Sequence, residues 1–347
     1  MIKEKSGKVI FFMIFMFTIV VSVLLADVQS KKKIGILKKI LVANSLKIRN
    51  NDLIIVSNYK VYHYELNGEN IRFVKSFGKK GEGPGEFKTI PEIILNSKNI
   101  ITYTPYKIIF FDFNGKLKKE IRMKNNGIYL LSNSIIVESL DMIKKGFDVK
   151  CFDLSGKYKS YISFIRTPVS IIDSGQEHVF DLLCGESLLD VSKDNIFIIK
   201  DSRNFVISVY NSKGKKLYDI SKGYKKIKVS DKIKKIYIKR FKKEKKQMLN
   251  IMRKINIKVK FAFPEYFPAI SYFFVRGNDL IVKTYEKKGD KYKWLILDKK
   301  GKSKNALYLS DKIKDTLIDY DNHRFYYLLF NEDSDYYELY TEKNSGN

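Results

Sequence analysis

The chain has 347 residues, 44% of them apolar and 14% aromatic, and a formal net charge of +28. That apolar content supports a sizeable core and excludes a disordered or low-complexity protein. Lys far outnumbers Arg, and Ile and Asn are abundant, as AT-rich coding produces. Phosphate recognition usually recruits the bidentate Arg fork, so specific nucleic-acid binding is not expected.

Met1–Lys8 is a short basic stretch, and Val9–Leu25 is an unbroken apolar run of 17 residues. Small and polar residues follow at Ala26–Ser30. This layout predicts a signal peptide or an N-terminal membrane anchor over residues 1–30. The rest of the chain is then expected outside the cytoplasm: periplasmic, secreted or membrane-anchored.

After a lone apolar strand expected over Ile34–Ala43, one phrase recurs. A hydrophobic pair, an acidic or polar residue, two variable residues and Gly precede another strand. The copies are Tyr62–Val74, Ile109–Ile121, Lys150–Ile162, Ser208–Ile220 and Leu295–Leu307, with key glycines Gly68, Gly115, Gly156, Gly214 and Gly301. Asn-Gly, Ser-Gly and Lys-Gly between alternating segments are hairpin signals. A further Ile/Val-rich strand precedes each copy, and Arg324–Glu342 supplies a sixth strand pair. Units of this size with four short strands are propeller blades. The fold class is therefore all-β: a six-bladed β-propeller over residues 34–347, closed by the N-terminal strand.

Between the first two units lies "FGKKGEGPGEF", Phe77–Phe87. No Gly-Lys-Ser/Thr follows its glycines, so it is not a phosphate loop, and the glycine spacing does not fit a dinucleotide fingerprint. A structural role is expected for Gly78, Gly81, Gly83, Pro84, Gly85, Glu86 and Phe87. They would link an outer strand to the next inner strand, with Phe87 wedged between blades and Glu86 accepting backbone N–H groups. Lys79, Lys80 and Glu82 are candidate ligand contacts.

The long gap between Gly214 and Gly301 holds an insertion at about 224–260. Lys225–Lys260 carries 16 basic and 2 acidic residues, a net +14, which is half of the total excess. Phe241, Met248, Met252 and Ile255 fall at helical spacing, which predicts one or two amphipathic helices. Lys239, Arg240, Lys242, Lys243, Lys245 and Lys246 are candidate contacts to an anionic surface. A helical cap with solvated lysines is the competing expectation.

The catalytic signals are weak. No catalytic residue, metal ligand or cofactor is expected from His63, His178, His323, Cys151 or Cys184. A Cys151–Cys184 pairing and a channel calcium site built from Asp and Asn are left open.

"GKKGEGPGEF", together with the Pro-x-x-x-Pro approach to a late strand in Phe263–Tyr285, resembles bacterial six-bladed β-propeller proteins related to NHL repeats. The resemblance implies the propeller fold and an extracytoplasmic setting, and it transfers no catalytic residue. The expected function is a non-enzymatic binding module for a protein or small ligand, and the protein is expected to be a monomer. The alternatives are a metal-dependent propeller hydrolase or lyase, and a membrane-surface or polyanion scaffold acting through the insertion.

Overall fold

Each repeated phrase folds as the outer half of a four-stranded antiparallel blade, and six such blades form a ring. The structure, a computed structural model, describes residues 32–68, 70–166, 177–183, 188–200, 202–310, 317–321 and 324–343.

The first strand, β1 (Lys32–Leu37), belongs to the last blade. Blade 1 is β2 (Ser45–Arg49), β3 (Asp52–Ser57), β4 (Lys60–Asn67) and β5 (Asn70–Phe77). Blade 2 is β6 (Glu92–Leu95), β7 (Ile100–Thr104), β8 (Lys107–Phe111) and β9 (Leu117–Arg122). Blade 3 is β10 (Gly127–Leu131), β11 (Ser134–Asp141), β12 (Gly146–Asp153) and β13 (Tyr158–Arg166). After the stray strand β14 (Glu177–Asp181), blade 4 is β15 (Leu188–Ser192), β16 (Asn195–Ile199), β17 (Val206–Asn211) and β18 (Lys216–Ser221). The helices α1 (Asp231–Glu244) and α2 (Lys246–Lys254) and the strand β19 (Lys258–Ala262) follow. Blade 5 is β20 (Tyr272–Arg276), β21 (Asp279–Lys288), β22 (Lys291–Asp298) and β23 (Ser303–Ser310). Blade 6 is β24 (Leu317–Asp321), β25 (Arg324–Asn331) and β26 (Tyr336–Lys343), with β1 as its outermost strand.

Ring closure is antiparallel, with Lys32 opposite Thr341 and Leu37 opposite Tyr337. The closing strand ends at Leu37, short of the expected Ala43, because a turn at 38–39 carries the chain inward to β2. Closure pairs the edge that would otherwise template aggregation.

The repeated phrase works through local hydrogen bonds. Asp298 Oδ1 accepts from the N–H groups of Lys300 and Lys302, both at 2.9 Å. Asp153 Oδ1 does the same for Ser155 and Lys157, and Asn211 Oδ1 for Lys213 and Lys215. The glycine answers a tertiary demand as well as the turn. Gly214 has φ +81°, and a Cβ there would sit 2.3 Å from the Tyr161 carbonyl of blade 3. Gly115 likewise meets Phe77 of blade 1. The turns at Gly115, Gly156, Gly214 and Gly301 are thus pressed against the outer strand of the preceding blade, whereas Gly68 has open space around it.

Apolar clusters fill the wedges between blades. One joins Ile54, Val56 and Val61 of blade 1 to Phe87, Ile93, Ile100, Ile109 and Phe111. Another joins Phe197, Ile207 and Val209 of blade 4 to Phe273, Leu280 and Val282 of blade 5. Alternate residues of each strand feed opposite wedges, as the two-residue strand period requires.

Two connections leave the ring. The linker between blades 3 and 4 carries β14, and the linker between blades 4 and 5 carries α1, α2 and β19. β14 and β19 pair in parallel, with Glu177 opposite Lys258 and Asp181 opposite Ala262. The stretch around His178, which carries no copy of the repeated phrase, is thus a strand, and it lengthens the Gly156–Gly214 spacing. Against expectation, Phe241 does not share a helix with Met248, Met252 and Ile255: the helix breaks at Lys245, and Ile255 caps the second helix.

Candidate functional site

The loop after β5 is tied down at nearly every residue. Phe87 is fully buried in the wedge between blades 1 and 2, edge-on to Phe111 at 6.3 Å. Its N–H donates to the Lys79 carbonyl at 2.9 Å, and its carbonyl accepts from Gly81 at 3.0 Å. Glu86 Oε2 accepts from the Gly83 N–H at 2.9 Å, and the Gly85 N–H donates to Glu120 at 2.5 Å. Pro84 sits between these two anchored glycines. A Cβ on Gly78 would strike the Phe87 ring at 2.4 Å. Lys107 of blade 2 donates to the carbonyls of Gly83 and Glu86 at 3.0 and 3.3 Å. The candidate contacts are also engaged: Lys79 pairs with Glu86 at 3.0 Å, Glu82 with Lys88 at 2.7 Å, and Lys80 lies over the Tyr59 ring.

In the insertion, Ile233 and Tyr237 of α1 pack on Leu183, Val229 and Phe267. Phe241 stacks against Phe180 of β14 and Phe261 of β19, with ring centroids 5.0 and 5.6 Å away. Arg240 is ion-paired with Glu244, and Lys242 lies over Phe261. Lys239, Lys243, Lys245 and Lys246 are exposed.

His63 is buried, with Nε2 2.7 Å from Asp52 Oδ1 and Nδ1 3.2 Å from the Phe113 carbonyl. It tethers blade 1 to the turn between β8 and β9 of the neighbouring blade. His178 lies on β14. Cys151 is a buried free thiol, while Cys184 and His323 lie outside the described residues. Among the described residues, no three His, Cys, Asp or Glu side chains come together as a metal cluster.

The innermost strands of the six blades surround a channel, and there the structure assembles a polar group from residues hundreds of positions apart. Arg276, near the end of β20, lies between Asp319 of blade 6 and Asp190 of blade 4, at 3.0 and 3.4 Å. Both aspartates sit at the centre of an inner strand, and both also accept a backbone N–H from the next blade. Asp190 takes Val275 at 2.7 Å, and Asp319 takes Ile48 at 2.8 Å. Those amides lie on the unpaired inner edge of their strands, so the bonds satisfy donors that no ladder reaches. Burial alone would lower the pKa of Arg276, but Asp319 and Asp190 outweigh it and hold it above the usual value. Burial lowers that of Lys47, opposed by Asp319 and, less strongly, by Asp190 and Glu92. Burial raises Asp190, partly offset by Arg276.

The blade 2–3 side of the same channel is different. Glu138 on β11 lies beside Gly127 of the inner strand, where a Cβ would come within 2.5 Å of its carboxylate oxygen. The glycine makes room for the acid. Glu138 is only 6% exposed, and its Oε1 has no hydrogen-bond partner among the described residues. Its other oxygen accepts from the Tyr129 hydroxyl at 3.4 Å. Burial pushes its pKa up to about 7, and the Tyr129 hydroxyl pulls the other way. Glu92 is raised by burial too, opposed by the Ser45 hydroxyl and Lys47. Tyr103, opposite Glu92 on β7, and Tyr129 both titrate well above an ordinary phenol because they are buried, with Glu138 adding to the shift in each. Gly127, Glu92 and Ser45 all begin their strands, so this group sits at the channel mouth on the face where the blade-to-blade linkers cross.

None of these channel residues was singled out from the sequence. The available signal is a charged residue at the centre of an innermost strand, flanked by apolar ones, as in Leu46-Lys47-Ile48 and Leu189-Asp190-Val191.

A cleft of about 520 Å³ on the same face lies between blades 4 and 5, lined by Phe205, Tyr224, Phe267 and Tyr285. Glu286 and Lys293 in its lining pair with each other at 3.0 Å, and Lys222 and Lys225 also line it.

No family model matches the sequence, and no curated protein matches it closely enough to count as a relative. Among solved structures, a luciferin-regenerating enzyme is 9% identical over 91% of this chain and 96% of its own, with a TM-score of 0.46. Regucalcin from Agrobacterium tumefaciens, described as a calcium-binding protein, is 7% identical over 91% and 95%, with a TM-score of 0.43. Hsv2 of Kluyveromyces lactis is 10% identical over 90% and 98%, with a TM-score of 0.39. At this distance no activity passes from them to this chain.

Proposed function

We propose that this chain is an exported, non-enzymatic binding propeller whose channel mouth takes a small organic cation. The observation that carries the reading is the Glu138 carboxylate, buried with one oxygen unpartnered among the described residues. Leaving such an oxygen without a donor costs more than a hydrogen bond returns, so a site that keeps one is suited to a donor that arrives from outside. Glu138 and Glu92, with the Tyr129 hydroxyl on Glu138 and Tyr103 opposite Glu92, suit an ammonium group through charge and through the aromatic rings beside it. Export rests on the layout of residues 1–30, and kinship with NHL-related propellers rests on the Gly81–Phe87 phrase.

Calorimetric titration of the full chain with primary amines of increasing size, their quaternary counterparts and calcium tests this reading. Primary amines are expected to bind at pH 8, weaken below pH 7 as Glu138 takes up its proton, and lose measurable affinity in Glu138→Gln. Equal affinity in wild type and variant, or calcium binding in place of amine binding, overturns it.

A further inference from the structure

The two helices of the insertion are unlike each other. α1 spends its apolar face on the β14–β19 pair and on the cluster around Val229. Among the described residues α2 contributes to no apolar cluster, and, as in α1, none of its residues is buried. Yet Met248, Ile251, Met252 and the capping Ile255 fall within an arc of about 100° at 100° per residue, the width of a core-facing stripe. Ile251 and Ile255, four residues apart, are each 61% exposed. At the same period Lys245 and Lys254 stand about 20° and 60° outside the two edges of the stripe, and Lys246 and Arg253 lie on the opposite side of the helix; all four are exposed, and Lys239 and Lys243 extend the basic field from α1.

We propose that α2 is an interfacial helix that docks on the surface of an anionic lipid bilayer, with Ile251 and Ile255 inserted among the acyl chains and the flanking cations on the headgroups. An exposed apolar stripe bordered by Lys and Arg is the pattern of helices that lie in a membrane interface. Charge decides among occupants. A second copy of this chain would bring one insertion of net +14 against another, a self-repelling match. A nucleic acid would meet the lysines but leave the isoleucines in water. Acidic lipid answers both, with each basic residue near the surface adding about 1 kcal/mol. The insertion leaves and rejoins the ring on the linker face, whereas β1 starts at the opposite end of blade 6. The docking helix and the amino-terminal side of the first strand therefore lie on opposite faces of the ring.

The test must separate α2 from the apolar run at Val9–Leu25, so it reads the helix directly in the full chain. Ile251→Trp adds an exposed indole to a protein whose own Trp294 is buried. With vesicles of equal parts phosphatidylglycerol and phosphatidylcholine, its emission should shift to the blue and be quenched by brominated acyl chains. Phosphatidylcholine alone should do neither. Replacing Lys243, Lys245, Lys246 and Lys254 with Gln in the same background should lower the bound fraction at least about tenfold. A shift that is equal with both vesicles, that persists after the four replacements, or that appears only with soluble polyphosphate overturns the proposal.

Discussion

On the blade 4–5–6–1 side of the channel, Asp190 and Asp319 each have a backbone N–H and a share of Arg276. On the blade 2–3 side, Glu138 has one phenol at 3.4 Å and an oxygen with no partner among the described residues. The two sides use the same chemistry, buried carboxylates in a ring of strands, and reach opposite states. The first side stitches blades together by satisfying inner-edge amides with acids from the neighbouring blade. The second holds an uncompensated acid at the channel mouth, which is how a structure stores capacity for a ligand at the expense of stability.

The largest way to break this contrast is to make the first side resemble the second. Arg276→Met leaves Asp190 and Asp319 with their amides and the more weakly coupled Lys47, and should cost roughly 3–5 kcal/mol, as loss of one partner from a buried pair does. A urea midpoint at pH 7 measures this, and an unchanged midpoint means that the clasp does not hold the ring. Next comes Glu138→Gln, with the opposite sign. The folded-state pKa of Glu138 is raised from 4.5 to about 7. Its protonated form is therefore favoured by folding, and that contribution is full below pH 4.5 and lost as pH rises through about 7. At pH 8 the wild type carries the whole cost of the buried charge, so the variant should be more stable by at most roughly 3 kcal/mol, with little difference at pH 4. Thermal melts at the two pH values check the crossover. The smallest effect belongs to Tyr129→Phe, which removes a long hydrogen bond worth under ~1 kcal/mol. Because that hydroxyl favours the carboxylate, the Glu138 midpoint should move further upward in a carboxyl-resonance titration, and a downward move would sink the assignment.

The linkers give a second contrast. The loop over Phe77–Phe87 and the α1–α2 insertion both carry an outer strand to the next inner strand. The first could be read locally, because its glycines, proline and terminal aromatic are the parts of a sharp, wedged crossing. The second showed its composition but not its pairing. β14 and β19 are about 80 residues apart, and parallel pairing at that distance leaves no turn signature.

The sequence by itself determined the blades, because an Asp or Asn that caps the N–H groups two and four residues on, followed by Gly, is a local device repeated in order. It also determined the closing strand, since six units and one spare strand balance only in a ring. Tertiary structure alone decided the channel. Lys47, Glu92, Glu138, Asp190, Arg276 and Asp319 look like any polar residues in alternating strands until closure brings six inner edges together. Whether a carboxylate then meets a guanidinium or a single phenol depends on which blade stands next to it, and no local period encodes that.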